Sequence, residues 1–327
     1  MCKAKSVDEF LKIVYDKIFE KEEDYDPLNI FWFRGESCKS CDYEDTFLVP
    51  GAYRNLVVKR NSMRKEKSYT ISDEKYSSYF DIERNLRADF DRRALPFILS
   101  KGIENTAWNR YFLMQHYNVN TRLLDWTEDA IKALFFAINE DSDKDSKVWI
   151  LQPFKLNLFT VNKLFDFSIT TAIIPPLSND HDKPQDLLDE NGKINAKEWT
   201  RRYLTMDFDR DKDIDKKKYY PLAIQPSFLD NRMAAQKASF TIFGDVSNKG
   251  LHEVIELQDS CDKIIDCIVI DRVSKKEMLN QLRLIGIDNS SIYPDLDGLG
   301  NALKSKYRDT DKKVVISYDE WYSDVFK

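Results

Sequence analysis

Three short segments carry the residues that could do chemistry. The first is Phe31-Trp32-Phe33-Arg34-Gly35-Glu36, an aromatic run that ends on a guanidinium. A cation at the end of an apolar strand is costly to bury unless it meets an anion. Arg34 therefore either forms a structural ion pair with a nearby carboxylate or receives an anionic ligand. The second segment is Gln115-His116-Tyr117 with Thr121-Arg122-Leu123-Leu124-Asp125-Trp126-Thr127, dense in hydrogen-bonding groups just before an apolar helical stretch. His116 is one of three histidines, and a lone histidine is more often a packing residue than a catalyst. Asp125 pairs with Arg122 or with Arg34, as structure or as preorganisation of a site. The third segment holds Asn231, Arg232 and Gln236, ahead of a strand at Phe240. Its plainest reading is a hydrogen-bonded turn.

The elements that must position these groups follow from periodicity. Helical spacing of Phe10, Leu11, Val14, Tyr15, Ile18 and Phe19 predicts a helix over 7–21, with Ser6 able to cap it. A strand is expected over 29–34, an exposed basic loop over 59–72, and a helix over 73–94 burying Tyr79, Phe80, Leu86 and Phe90. Another helix is expected over 105–116. Thr127 followed by Glu128 and Asp129 reads as a helix start, with the helix over 128–139. Strands are expected over 148–151, 239–243 and 263–270, regular structure resumes at 220–224, and helices are expected over 274–284 and 299–307. The stretch from about 155 to 218, with Pro175, Pro176, Pro184 and a charge-rich end, reads as an irregular insertion or lid.

Bulk properties set the limits. The chain has 327 residues, 42% of them apolar and 32% charged, which fits a globular protein. A formal net charge of -6 argues against broad electrostatic binding of duplex nucleic acid, though not against a local basic groove such as Lys59, Arg60, Arg64, Lys65 and Lys67. Five cysteines do not make a disulfide framework and point to a reducing compartment. Cys38 and Cys41 have knuckle spacing, but Cys261 and Cys267 are poorly placed to close a zinc site, so no metal is expected. No apolar run reaches the ~20 residues that span a bilayer. A cytoplasmic protein without membrane partners is the expectation.

Taken together the segments resemble the FRG domain family, named for Phe-Arg-Gly. The resemblance rests on 31–36, Leu48-Val49-Pro50-Gly51, Gln115-His116-Tyr117, 121–127 with Ala133-Leu134-Phe135-Phe136-Ala137, and Val148-Trp149. Asn231, Arg232, Gln236 and Phe240 extend it, so that it covers about 28–245 apart from the insertion. Asn118 stands where the family has Gly, and Asn tolerates a left-handed turn. Ala238 also replaces a usual Gly. A more distant similarity in motif order is to ADP-ribosyltransferases. That resemblance implies NAD as cofactor and Arg34 on its pyrophosphate. It implies that Thr127 holds the nicotinamide ribose or orders the site, and that Tyr117 or Trp126 stacks on nicotinamide. Gln236 would stand in the catalytic acid's place. A Gln cannot act as a base, so Glu36 or another acid substitutes, the chemistry differs, or the fold serves binding alone.

These readings converge on an α+β architecture: a mixed, twisted or split sheet flanked by helices, with an ADP-ribosyltransferase-like core implied. An FRG domain is expected over 1–249, with a C-terminal α/β segment over 250–327 packed on it. The site is expected to use Arg34, Asp125, Thr127 and Gln236 for chemistry. Glu36, Gln115, His116, Tyr117, Arg122, Trp126, Arg232 and Arg34 itself would bind the nucleotide. The leading function is a NAD-using ADP-ribosyltransferase-like effector of bacterial defence or toxin systems. The alternatives are a sensor that binds a nucleotide or other anion without turnover, and a nucleic-acid-binding protein.

Overall fold

Seven short segments pair into one mixed sheet. The computed structural model describes residues 2–19, 30–37, 48–54, 74–140, 142–165, 173–178, 183, 185–208, 219–244, 251, 255 and 264–308. The strands are β1 (Lys3–Ala4), β2 (Trp32–Glu36), β3 (Leu123–Thr127), β4 (Ser146–Leu151), β5 (Leu222–Ile224), β6 (Ala238–Ile242) and β7 (Ile265–Ile270). Their spatial order is β1-β7-β4-β2-β3-β6-β5. Only β1 and β7 run parallel; the other neighbours are antiparallel. With its flanking helices this is an α+β fold.

Side-chain alternation gives the sheet two differently filled faces. Trp32, Leu124, Trp126, Trp149 and Leu151 share one face with Leu48, Val49 and Tyr53. The opposite face is divided. Over β2, β4 and β7, Phe33, Val148, Ile150 and Ile268 pack against helices α1 (Val7–Phe19), α4 (Ala130–Ile138) and α8 (Lys275–Leu284). Over β3, β5 and β6, Leu123, Leu222 and Phe240 pack against α3 (Ala107–His116) and α6 (Ala196–Thr205). The boundary between these two clusters falls between β2 and β3.

That boundary is also where the sheet opens. β2 opposes β4 over five positions, and β3 opposes β6 over five. Between β2 and β3, among the described residues, one pair is directly opposed, Phe33 with Thr127. Gly35, two residues further along β2, lies under α4. A Cβ there would stand 1.9 Å from the Ala133 carbonyl oxygen and 2.5 Å from the Ala137 nitrogen. Only a glycine lets strand and helix come this close.

Several expectations are revised. The helix after β3 begins at Ala130, not at 128, and its N-cap is Asp129, whose carboxylate accepts from the Ile131 and Lys132 amides. Thr127 stays in the sheet because it pairs with Ala238 of β6. The expected insertion opens with a regular helix, α5 (Pro153–Phe165), and later carries α6. In α5, the Asn157 amide accepts from the Ala223 N–H at 2.7 Å and donates to the Ala223 carbonyl at 3.0 Å. A side chain thereby satisfies the outer edge of β5, which would otherwise be open to pairing. Helix α2 (Glu74–Ser100) continues through Pro96 past the expected end at 94, and Leu86 is exposed on it. Tyr79 and Phe80 lie outside the described side chains. On α1, Leu11, Tyr15 and Phe19 are exposed, so burial is limited to Val7, Phe10 and Val14. The polar bend at 231–236 is a short helix, α7 (Asn231–Gln236).

The segment after 250 supplies β7, which lies inside the sheet between β1 and β4, six of its residues facing β4. It continues into α8, α9 (Asn289–Ile292) and α10 (Leu296–Arg308). The basic loop at 59–67 and Cys38, Cys41 and Cys261 lie outside the described residues; Cys267 is buried and free. Among the described residues no group of His, Cys, Asp and Glu could hold a metal ion, and no helix is long and apolar enough to cross a membrane.

Candidate functional site

The opening between β2 and β3 is bridged by a side chain in place of a strand ladder. Arg34 donates through Nη1 to the Asp125 backbone carbonyl at 2.7 Å and through Nε to Glu36 Oε1 at 2.9 Å. Glu36 is itself fully engaged. It accepts from the Leu48 N–H at 3.2 Å and from Trp149 Nε1 at 3.0 Å, so one carboxylate joins β2, β4 and the 48–54 turn. Arg34 and Glu36 are largely enclosed, their side chains 13% and 10% exposed. Arg54 approaches from that turn. Packing around its guanidinium and the charge of Arg34 lower its pKa, while Glu36 and Asp125 act in the opposite sense.

Asp125 is the group that faces outward. Its side chain is 55% exposed, yet it is held in place. Gln115 Nε2, from the last turn of α3, donates to Asp125 Oδ2 at 2.8 Å. The Arg34 guanidinium stands 3.6 Å from the same oxygen. Gln115 is oriented in turn by Thr121, whose hydroxyl donates to Gln115 Oε1. With its carbonyl oxygen satisfied, the amide must present its NH2 to the carboxylate. The turn that brings α3 back to β3 runs through Asn118 at φ 58°, the left-handed conformation expected there.

His116 lies beside this group. Its Nε2 is 3.1 Å from Asp230 Oδ2, and Asp230 also caps α7 by accepting from the Met233 amide. Burial lowers the His116 pKa, with Arg232 and Lys101 adding to that effect and Asp230 and Asp125 opposing it. Tyr117 is exposed and accepts from Lys101 Nζ at 2.6 Å.

Further along β3, the Thr127 hydroxyl donates to the Gln236 backbone carbonyl at 2.6 Å and accepts from the Asp129 amide at 3.2 Å. The Gln236 side chain reaches the Ile292 carbonyl at 3.4 Å. Arg232 places its guanidinium 4.6 Å above the ring of Tyr293.

The structure thus links Arg34, Glu36, Gln115 and Asp125 by direct contacts and Thr127 to Gln236, with His116 within electrostatic reach of both Asp125 and Arg232. Two expected ligand residues stand apart. Arg122 is fully buried and donates to Glu83 at 2.7 Å and to the Phe243 and Tyr203 carbonyls at 2.6 Å each. Burial works against its charge, but Glu83 more than compensates, and its pKa is raised. Trp126 is buried in the opposite face, its Nε1 donating to Thr241 at 3.1 Å. Alternation along β3 explains this, because residues 124 and 126 point away from Asp125. Asp230, Arg54 and Tyr293 escaped the sequence reading. They come from a helix cap, the short helical stretch at 51–54 and a bend, and nothing in their local pattern signals a partner elsewhere in the chain.

Glu36 suits the role of a structural anchor, and Gln236 is held by backbone contacts. Asp125 is the exposed, oriented carboxylate of this group. It can take a proton from a nucleophile or stabilise a developing positive charge. A ligand with separate positive and negative parts would match Asp125 and Arg232.

No curated protein and no solved structure matches the chain. The family match begins just before β2 and ends where β4 starts, so Asp230, Arg232, Gln236 and Tyr293 lie beyond it. Residues 29–146 match the FRG domain, and the chain therefore carries an FRG domain whose Phe33 fills the core, whose Arg34 bridges the open strands and whose Gly35 admits the helix.

Proposed function

We propose that this protein is an ADP-ribosyltransferase-like enzyme that uses NAD, with Asp125 as the catalytic carboxylate. The observation that carries the reading is that Asp125 is exposed while Gln115 and Arg34 fix its position. Glu36 is spent on three donors, and Gln236 has no basic group. In the proposed step the bond from ribose C1′ to the nicotinamide nitrogen breaks. The bonding pair leaves with nicotinamide, which departs neutral. Asp125 stabilises the oxocarbenium-like centre. A hydroxyl or water then attacks C1′ and its proton passes to the carboxylate. Tyr117 offers an exposed ring for stacking.

The test is nicotinamide release from NAD, with cell extract as acceptor source, for wild type and Asp125→Asn. Release by wild type that falls by about 10²–10⁴ in a folded Asp125→Asn supports the reading. No release by wild type overturns it. A second reading, a sensor that binds the nucleotide without turnover, draws support from Gln236 at the place of the family acid. NAD binding without any release would favour it.

A further inference from the structure

We propose that Arg232 and Tyr293 form the phosphate-holding half of the site around Asp125, binding the pyrophosphate of a nucleotide whose ribose faces Asp125. The inference rests on reading the groups around Asp125 as a nucleotide site. It assigns the phosphates to Arg232, not to Arg34, whose Nε and Nη1 are already committed within the fold.

Arg232 is held differently from the other enclosed arginines. Arg34, Arg122, Arg201 and Arg202 each face a carboxylate. Among the described residues Arg232 enters no salt bridge. Its Nε is buried and without a hydrogen-bond partner, and the flat guanidinium lies 4.6 Å over the Tyr293 ring. The nearby acids are engaged elsewhere: Asp230 with His116 and the Met233 amide, Asp125 with Gln115. Stacking on an aromatic face positions a guanidinium without neutralising it, leaving its fork for an incoming anion. Phosphate oxygens fit that fork.

The platform under Arg232 is rigid. The Tyr293 ring packs edge-on against Phe136 of α4, with centroids 6.4 Å apart. Its amide bonds the Asn289 carbonyl at 2.8 Å. Gly298 packs so closely on this turn that a Cβ there would lie 1.8 Å from the Tyr293 carbonyl oxygen. Arg232 and Asp125 both act electrostatically on Tyr293 and on His116, which places them around the same groups. Arg232 and Asp125 therefore offer a cation and a carboxylate around the same groups. NAD and its product carry the matching pattern, with pyrophosphate on one side and the electron-poor ribose carbon on the other. The C-terminal segment, through Tyr293, becomes part of the binding site.

The test is calorimetric titration of the full chain with ADP-ribose, with inorganic pyrophosphate as competitor and adenosine as the phosphate-free control. Wild type is expected to bind ADP-ribose, pyrophosphate to compete, and Arg232→Gln to weaken binding at least about tenfold, the loss of a charge-assisted anion contact. Arg232→Lys and Tyr293→Leu are expected to weaken it less, and they serve if Arg232→Gln melts early. Wild-type affinity in the Arg232 variants, or no binding by wild type, overturns the assignment. Arg232-dependent binding without nicotinamide release upholds it while refuting the catalytic reading. Release that is insensitive to Arg232 does the reverse.

Discussion

The Arg34 guanidinium donates to the backbone carbonyl oxygen of Asp125 at 2.7 Å, across the place where β2 and β3 stop pairing. One side chain thus replaces part of a strand ladder, and the same contact sets the backbone that carries the exposed carboxylate. Replacing Arg34 with Lys keeps the charge but loses the planar fork that serves Glu36 and Asp125 together. Arg34→Lys is expected to lose about 1.5–3 kcal/mol in urea unfolding, the value of hydrogen bonds to charged groups. Stability equal to wild type would show that the bridge is dispensable.

Gly35→Ala should be more damaging still. The added carbon meets backbone atoms of α4, which cannot swing aside. A loss of about 3 kcal/mol or more is expected, at the upper end for overpacking. Ala133→Gly should not rescue it, because the obstruction is the Ala133 carbonyl oxygen and not its side chain. Rescue by that second change would point to a different contact.

The Thr121–Gln115–Asp125 relay makes a separate prediction. Thr121→Val removes the hydroxyl that orients the Gln115 amide, freeing the amide to turn its oxygen toward the carboxylate. Nicotinamide release is expected to fall about tenfold or more, less than the fall expected for Asp125→Asn, with Gln115→Leu close to Thr121→Val. Independent effects of the two positions in a double-mutant cycle would contradict a shared positioning role.

The buried Arg122–Glu83 pair is predicted to act on stability. Glu83→Ala leaves a fully enclosed guanidinium without its counter-charge. A loss of about 3–5 kcal/mol is expected. The double variant Glu83→Leu with Arg122→Met should be less harmful than Glu83→Ala alone, since no charge remains to be compensated. A double variant that unfolds more readily than the single one would refute this.

His116 should give the protein a pH response. Its folded-state pKa lies below the unfolded value because burial disfavours the imidazolium. The unfolded chain therefore binds more protons as pH falls through the mid-6 range, and stability drops there. Thermal melts from pH 8 down to about 5 should show this decline in wild type and less of it in His116→Gln. Parallel curves for the two proteins would exclude His116 as the source.

Much was legible in the chain itself. The aromatic run ending at Arg34, the apolar pair Leu123 and Leu124, and the periodicity of residues 105–116 and 128–139 place strands and helices from local patterns alone, with ends off by a few residues. The joint recurrence of Phe33-Arg34-Gly35, Gln115-His116-Tyr117 and the segment ending at Thr127 identifies the domain. What the chain could not reveal is which way each polar group faces and what it meets. Arg122 and Asp125 are three positions apart and look alike as site residues. One is sealed against Glu83 while the other is exposed, because the pleat and the helix above it send them to different surroundings. Thr127 looks like a helix cap until β6 pairs with it and Asp129 takes over the capping. Glu36 looks like a spare acid until Leu48 and Trp149 occupy its oxygens. Tyr293 has no local signal at all, since its role depends on a guanidinium 61 positions earlier in the chain. Alternation and capping are properties of neighbours in sequence, whereas ion pairing and burial depend on which distant segments the sheet brings together.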